Sequence, residues 1–127
     1  MSLRILLVED DPASLDLARY LLQAAGHTVL SATSGEEALA LARQGRSDLL
    51  LCDVQLPGID GCSVAWTLQN DAIHGPPVRI ALTALSMPGD RERALQSGFQ
   101  AYLAKPITPE TFVATVEHLA NALAETD

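Results

Sequence analysis

Five side chains that could bind a metal ion or take part in phosphoryl chemistry each lie at the end of an apolar run. Glu9 and Asp10 follow "RILLV", Asp53 follows "LLLC", Thr83 ends "VRIALT", and Lys105 follows "AYLA". Carboxylates bind hard cations such as Mg²⁺, and a lone carboxylate can act as a nucleophile. Hydroxyl and ammonium groups can stabilise phosphoryl oxygens. This set predicts a site that binds a metal ion and accepts a phosphoryl group.

The charges of this set favour the same chemistry. Glu9, Asp10 and Asp53 carry three negative charges when ionised, which one Mg²⁺ ion and the Lys105 ammonium would balance. Mg²⁺ prefers oxygen ligands and commonly bridges carboxylates to a phosphate. The scattered histidines and two cysteines do not have the spacing of a zinc site. We therefore predict Mg²⁺ as the cofactor, with Mn²⁺ able to substitute.

The carboxylates are expected to have different roles. Glu9 and Asp10 are adjacent, which is typical of a metal-binding pair, whereas Asp53 stands alone and could form an aspartyl-phosphate. The phosphoryl oxygens would then interact with Mg²⁺, Lys105 and the Thr83 hydroxyl. The turn "VQLPGIDG" after Asp53 leaves this carboxylate open to a phosphoryl donor.

The elements that must position these residues alternate between apolar strands and amphipathic helices. Strands are predicted at residues 4–9, 28–32, 48–53, 78–83 and 101–104. Helices are predicted at residues 12–26, 34–45, 61–73 and 88–98, and from residues 108–109 onward. The first helix should begin with Asp11 as N-cap and Pro12 at its first position.

This alternation predicts a doubly wound α/β fold. The strands are apolar on both faces, so helices should cover both sides of a parallel sheet. The second strand ends in the uncharged residues Ala32 and Thr33, so we expect it at an edge. Ligands of such sheets bind at the carboxyl ends of the strands, near the reversal of strand order, which is where the candidate residues lie.

Length and composition limit the alternatives. The 127 residues suit one domain, 1–127, with a core of about 3–123, and 48% hydrophobic residues argue against disorder. The net charge of −8 argues against direct nucleic-acid binding. The apolar runs are too short for membrane insertion. Cys52 and Cys62 are expected to stay reduced, as in the cytoplasm.

The chain resembles the receiver domains of bacterial two-component response regulators. The resemblance covers essentially the whole chain and rests on "LLVEDD", "LLLCDVQLPGIDG", "IALTA" and "AYLAKPI", in that order. It implies a flavodoxin-like (βα)5 three-layer sandwich with strand order 2-1-3-4-5. It also implies a phosphoacceptor switch, a response regulator that is phosphorylated by a histidine kinase or a histidine phosphotransfer protein.

The resemblance assigns the acidic residues individually. Glu9 and Asp10 match the acidic pair that holds Mg²⁺. Asp53 matches the phosphoacceptor, and Gln55 matches the position whose backbone carbonyl completes the metal site. We expect the ion to bind Asp10, Asp53 and the Gln55 carbonyl, with Glu9 acting mainly through water.

The resemblance also assigns a conformational switch. Thr83 matches the switch hydroxyl, Lys105 the invariant lysine, and Tyr102 the aromatic residue whose rotamer follows the threonine. A cis bond is expected between Lys105 and Pro106. Phosphorylation would draw residues 84–87 inward, let Tyr102 turn, and reshape the surface of the fourth helix, fifth strand and fifth helix.

The same resemblance implies partners and a location. The phosphoryl donor should dock at the acidic rim beside the first helix, and an output partner or a second copy should bind the surface of the fourth helix, fifth strand and fifth helix. The domain should be cytoplasmic, either on its own or as part of a membrane-attached hybrid kinase. It should act as a switch rather than an enzyme, catalysing only its own phosphorylation and slow dephosphorylation.

An alternative function is that of a Mg²⁺-dependent phosphohydrolase of the haloacid-dehalogenase type, which also forms an aspartyl-phosphate. Those enzymes carry Asp-x-Asp at the nucleophile, as Toprim-like nucleases would, whereas Gln55 is at the second position here. A flavodoxin-like carrier would need a Ser/Thr/Gly phosphate loop where this chain has Glu9, Asp10 and Asp11. Sustained turnover of p-nitrophenyl phosphate would indicate the phosphohydrolase.

Overall fold

Five strands alternate with five helices in a computed structural model of the protein, which describes residues 2–84 and 89–124. The strands are β1 (Arg4–Val8), β2 (Thr28–Ala32), β3 (Leu49–Asp53), β4 (Val78–Thr83) and β5 (Ala101–Ala104). The helices are α1 (Pro12–Ala24), α2 (Gly35–Ala42), α3 (Gly61–Gln69), α4 (Asp90–Gln96) and α5 (Phe112–Ala124). No helix within these described ranges is long and apolar enough to cross a bilayer.

The strands form one parallel sheet in the order β2-β1-β3-β4-β5, which confirms the predicted fold. β2 lies at an edge, as the uncharged end of this strand predicted. The chain winds outward from β1 to β2 and then returns to the other side of β1 with β3. The reversal therefore lies between β1 and β3, and a crevice forms at their carboxyl ends.

Helices cover both faces of the sheet because successive strand side chains point to opposite sides. On one face, Leu7 and Leu51 pack with α1 and α5. On the other face, Leu6, Leu50 and Cys52 pack with α2, α3 and α4. These strand residues have no solvent exposure, and burying one of the leucine side chains stabilises the fold by about 1.5–3 kcal/mol.

The predicted start of α1 is confirmed. Asp11 is the N-cap residue, its side chain accepts a hydrogen bond from the Ser14 N–H, and Pro12 begins the helix. The hydrogen bonds from Ser14 hold the pKa of Asp11 below its usual value. Asp11 is thus engaged as a helix cap, in agreement with its omission from the predicted metal site.

Four helices end earlier than the sequence pattern predicted: α1 and α4 end two residues early, at Ala24 and Gln96, and α2 and α3 end earlier still. α3 ends at Gln69 rather than near Ile73, because one carboxylate oxygen of Asp71 accepts the backbone N–H groups of Ile73 and His74. Such a side-chain bond offers the backbone an alternative to the helix. α2 ends at Ala42 rather than near residue 45, since the Gln44 N–H bonds three residues back and closes a tight turn.

The predicted start of α5 at residues 108–109 is also wrong, because the regular helix begins at Phe112. Residues 109–111 form a turn in which the Thr108 carbonyl accepts the N–H groups of both Thr111 and Phe112. The hydrogen bond from Thr111 to Thr108 spans only three residues, so the turn is tighter there than an α-helix. Pro109 and the polar residues beside it thus precede the helix and are not part of it.

A buried histidine that the sequence pattern did not single out joins α5 to the sheet. The His27 side chain has no solvent exposure, and its Nδ1 accepts the Leu3 N–H at 3.0 Å. Because Nδ1 is an acceptor, the ring proton lies on Nε2, which donates to Glu117 on α5 at 2.7 Å. One imidazole therefore connects the beginnings of β1 and β2 to α5.

We predict that Glu117→Ala lowers the free energy of unfolding by about 1–3 kcal/mol, because it leaves a buried N–H without its acceptor. Urea denaturation followed by circular dichroism measures the loss. Glu110→Ala removes an exposed carboxylate from the same region and is the matched control. Equal stabilities of the two variants would contradict the anchoring role of His27.

Candidate functional site

The sequence-predicted acidic residues meet at the carboxyl edge of the sheet. Glu9 and Asp10 follow β1, and Asp53 is the last residue of β3. These three residues can each offer a carboxylate oxygen within 4.8 Å of the others. Glu9 and Asp53 are buried, whereas Asp10 is exposed, so the cluster opens to solvent on the side of Asp10.

Lys105 lies between two of these carboxylates. Its Nζ is 2.7 Å from Asp53 Oδ2 and 2.5 Å from Glu9 Oε1. The Lys105 N–H donates to the Thr83 carbonyl at 2.9 Å, and the following bond to Pro106 is cis, as predicted. The backbone bond to β4 therefore fixes the start of the loop from which the ammonium reaches Asp53.

Burial and ion pairing shift the pKa values of Glu9 and Lys105. Burial raises the pKa of the Glu9 carboxyl, its bond to Lys105 lowers that pKa in part, and the neighbouring Asp53 carboxylate raises it again, so that it stays above its usual value. Burial lowers the pKa of the Lys105 ammonium, but its bonds to Asp53 and Glu9 raise it by more. The lysine is therefore a lasting positive charge in the site.

The residues present fit a hard divalent cation. Three carboxylates and one ammonium leave an excess of two negative charges, which one Mg²⁺ ion would cancel. The donor atoms are oxygens, as Mg²⁺ prefers, and an exposed opening suits the water ligands that this ion keeps. Among the residues that the structure describes, this is the one group of His, Cys, Asp and Glu side chains close enough to share a metal ion.

The loop after β3 closes tightly on Asp53. The Gln55 N–H donates to Asp53 Oδ1 at 2.9 Å, and the Gly61 N–H donates to the Val54 carbonyl at 2.8 Å. A Cβ on Gly61 would overlap the carbonyl oxygen of Asp53 and lie 2.7 Å from Val54 Cα. A glycine is therefore required where α3 begins. The sequence pattern indicated the helix start but not this contact.

Thr83 is buried beside the acidic cluster. The sheet register pairs Asp53 with Leu82, so Thr83 lies one residue further along the neighbouring strand. Residues 85–87 of the loop that is predicted to move lie outside the described residues, and its closure stays a prediction.

Tyr102 is half-buried on β5, on the side of the sheet covered by α2, α3 and α4. The Arg91 guanidinium lies over its ring, 4.9 Å from the centroid. This contact joins α4 to β5 and depends on the spacing between them, which the sequence pattern does not reveal. A cation in this position favours the face of an aromatic ring.

Comparisons with known proteins agree with this geometry. A sequence model of the response regulator receiver domain matches residues 5–117. The polar-differentiation response regulator DivK of Brucella anthropi is 41% identical over 114 residues, which cover 89% of this chain and 92% of DivK.

Solved structures are similar over nearly their whole length. The receiver domain of the sensor histidine kinase PA1611 from Pseudomonas aeruginosa has a magnesium ion coordinated in its active-site cleft. It is 33% identical, with a TM-score of 0.84 and coverage of 95% of this chain and 99% of that one. The chemotaxis response regulator CheY4 of Vibrio cholerae is 27% identical, with a TM-score of 0.86 and coverage of 94% and 99%.

The matched region includes the entire acidic site, from Glu9 to Lys105. Sequence, fold and site therefore lead to one conclusion. The chain belongs to the response regulator receiver family, the phosphoacceptor switches of two-component signalling.

Proposed function

We propose that Asp53 is the phosphoacceptor of this receiver. The observation that carries the proposal is the Lys105 ammonium 2.7 Å from Asp53 Oδ2, within a cluster whose negative charge exceeds its positive charge. A carboxylate oxygen of Asp53 attacks the phosphorus of a phosphohistidine, an O–P bond forms, and the N–P bond breaks with release of the imidazole.

The magnesium-containing receiver of PA1611 supports a magnesium site here. Asp10, Asp53 and the Gln55 carbonyl would hold the ion, with Glu9 acting mainly through water. When bound, Mg²⁺, or Mn²⁺ in its place, neutralises the charge of the phosphoryl oxygens. The Gln55 N–H already bonds to Asp53, so the loop that carries the proposed carbonyl ligand is oriented at the site.

Lys105 and Thr83 would act on the phosphoryl group itself. The Lys105 ammonium pairs with the Asp53 carboxylate before the transfer and would pair with the phosphoryl oxygens after it, as the negative charge moves to them. The Thr83 hydroxyl would donate a hydrogen bond to one of these oxygens, and this bond would draw residues 84–87 inward. Tyr102 would then turn and change the surface of α4, β5 and α5, where an output partner or a second copy binds.

The phosphoryl donor would be a histidine kinase or a histidine phosphotransfer protein. A cavity of about 180 Å³ lies next to Lys105 and is lined by α1 and by the loop after β5. Its lining includes Ala13, Leu17 and Ile107, so a donor with an apolar contact surface fits beside the acidic rim. With such a donor the domain would act in the cytoplasm, either on its own or as part of a membrane-attached hybrid kinase.

The protein would act as a switch and not as a phosphohydrolase. Gln55 stands two residues after Asp53 and has no acid–base group with which to speed hydrolysis of an aspartyl-phosphate. We therefore expect its own phosphorylation and a slow dephosphorylation, without sustained turnover of p-nitrophenyl phosphate.

Asp53→Asn should abolish labelling by acetyl phosphate because an amide is not a nucleophile. Without metal, the variant should be as stable as the parent or more so, since the excess of two negative charges falls to one. Phos-tag electrophoresis and urea denaturation measure the two effects. Asp60→Asn is the matched control, because asparagine also caps a helix. Acid-labile phosphate on Asp53→Asn would place the acceptor elsewhere.

Asp10→Asn should weaken Mg²⁺ binding by about tenfold or more, which corresponds to about 1.4 kcal/mol, because it removes one of the carboxylate charges. Isothermal titration calorimetry measures the affinity, and labelling at low Mg²⁺ should fall with it. The neighbouring Asp11→Asn preserves the cap of α1 and should bind Mg²⁺ like the parent. Parent-like binding by Asp10→Asn would remove Asp10 from the metal site.

Thr83→Ala should still be phosphorylated but should not transmit the change to Tyr102. Beryllofluoride with Mg²⁺ mimics the phosphoryl group and should shift amide NMR signals of residues 83–87 and Tyr102 in the parent. In Thr83→Ala most of the shift at Tyr102 should be lost, and Thr83→Ser, which keeps the hydroxyl, should restore it. Equal shifts at Tyr102 in the alanine variant and the parent would refute this switch.

A further inference from the structure

The first turn of α2 lies against the loop that follows Asp53. A Cβ on Gly35, the first residue of α2, would lie 2.7 Å from the carbonyl oxygen of Ile59 and 3.0 Å from Val64 Cγ2. A Cβ on Gly58 would lie 2.9 Å from Oε2 of Glu36, the next residue of α2. α2 thus touches the second half of the loop formed by residues 54–60, although none of its own residues belongs to the acidic cluster.

This loop has little freedom to move away from α2. At its beginning, the Val54 N–H donates to the Leu82 carbonyl at 3.0 Å, and the Gln55 N–H donates to Asp53 Oδ1. At its end, the Gly61 N–H returns to the Val54 carbonyl. Because both ends are fixed, a displacement of the Ile59 carbonyl would have to change the conformation of the loop itself. The same loop carries Gln55.

We propose that Gly35 is a positioning residue for the metal site. Because Gly35 lacks a side chain, α2 can approach the Ile59 carbonyl closely and hold the loop in which the Gln55 N–H bonds to Asp53. The contact is with a backbone atom, which cannot rotate away as a side chain can. This inference rests on the proposed function, in which the Gln55 carbonyl is a metal ligand.

Gly35→Ala tests the inference, with Gly45→Ala as the matched control. Alanine favours a helix over glycine, so any harm at position 35 comes from the contact with the loop. Gly45 follows the other end of α2, and a Cβ there would meet the end of the flexible Arg4 side chain, 2.8 Å from Nη2. The two variants therefore make the same chemical change at opposite ends of one helix.

We expect Gly35→Ala to weaken Mg²⁺ binding by about tenfold in calorimetry, as changes in residues that support a metal ligand commonly do. Gly45→Ala should stay within about twofold of the parent affinity. At saturating Mg²⁺, labelling of Gly35→Ala by acetyl phosphate should recover, because the metal affinity is changed and not the nucleophile. Parent-like Mg²⁺ affinity in folded Gly35→Ala would overturn the inference.

A titration of the parent protein tests the same contact without a substitution. Mg²⁺ should shift the amide NMR signals of Gly35 and Glu36 together with that of Gln55, while Gly45 stays unchanged. Shifts at Gln55 without shifts at Gly35 and Glu36 would overturn the inference even if Gly35→Ala fails to fold. If the parent does not bind Mg²⁺ at all, the proposed metal site fails and this positioning role fails with it, whereas the labelling of Asp53 tests the phosphoacceptor separately.

Discussion

The Lys105 ammonium between Glu9 and Asp53 is the interaction on which the site depends. Two buried carboxylates at the end of a hydrophobic sheet would repel each other strongly without a cation. The ammonium lies 2.5 Å from one and 2.7 Å from the other and offsets part of that repulsion. It leaves an excess of negative charge on the cluster, and this excess makes the site receptive to a divalent cation and to the chemistry of a phosphoryl group.

The fold supports this charge arrangement from several directions. The parallel sheet places the ends of β1, β3 and β4 at one edge, and each of these ends carries a polar or acidic group. Lys105 is fixed by its backbone bond to Thr83, and the loop after Asp53 is closed by the approach of Gly61. The acidic groups therefore lie at the strand ends, and backbone contacts hold Lys105 and the loop after Asp53 beside them.

The sequence could predict this arrangement because its signals are local. Apolar runs identify the strands, and a polar residue directly after a buried strand must lie at the edge of the sheet. These local signals are enough to predict that Glu9, Asp53 and Lys105 lie together at one edge of the sheet. The strand order followed from the resemblance, and the uncharged end of β2 was consistent with its position at an edge.

Other features depend on individual side-chain hydrogen bonds or on the packing of segments distant in sequence, neither of which a residue pattern encodes. The helix propensity of residues near Ile73 gave no sign that Asp71 would capture two backbone N–H groups and end α3. His27 looked like one of three scattered histidines, yet it bonds to residues 24 positions before it and 90 positions after it. The closeness of Gly61 to Asp53 and of Gly35 to Ile59 likewise becomes visible only when the elements are packed.

Borohydride reduction of the phosphorylated protein tests the identity of the acceptor most directly. Reduction of an aspartyl-phosphate releases the phosphate and converts the side chain to that of homoserine, which mass spectrometry of peptides locates in the sequence. After incubation with Mg²⁺ and acetyl phosphate, the account predicts homoserine at position 53 and at no other aspartate. Homoserine at Asp10, Asp11 or Asp60 with Asp53 unchanged would contradict it.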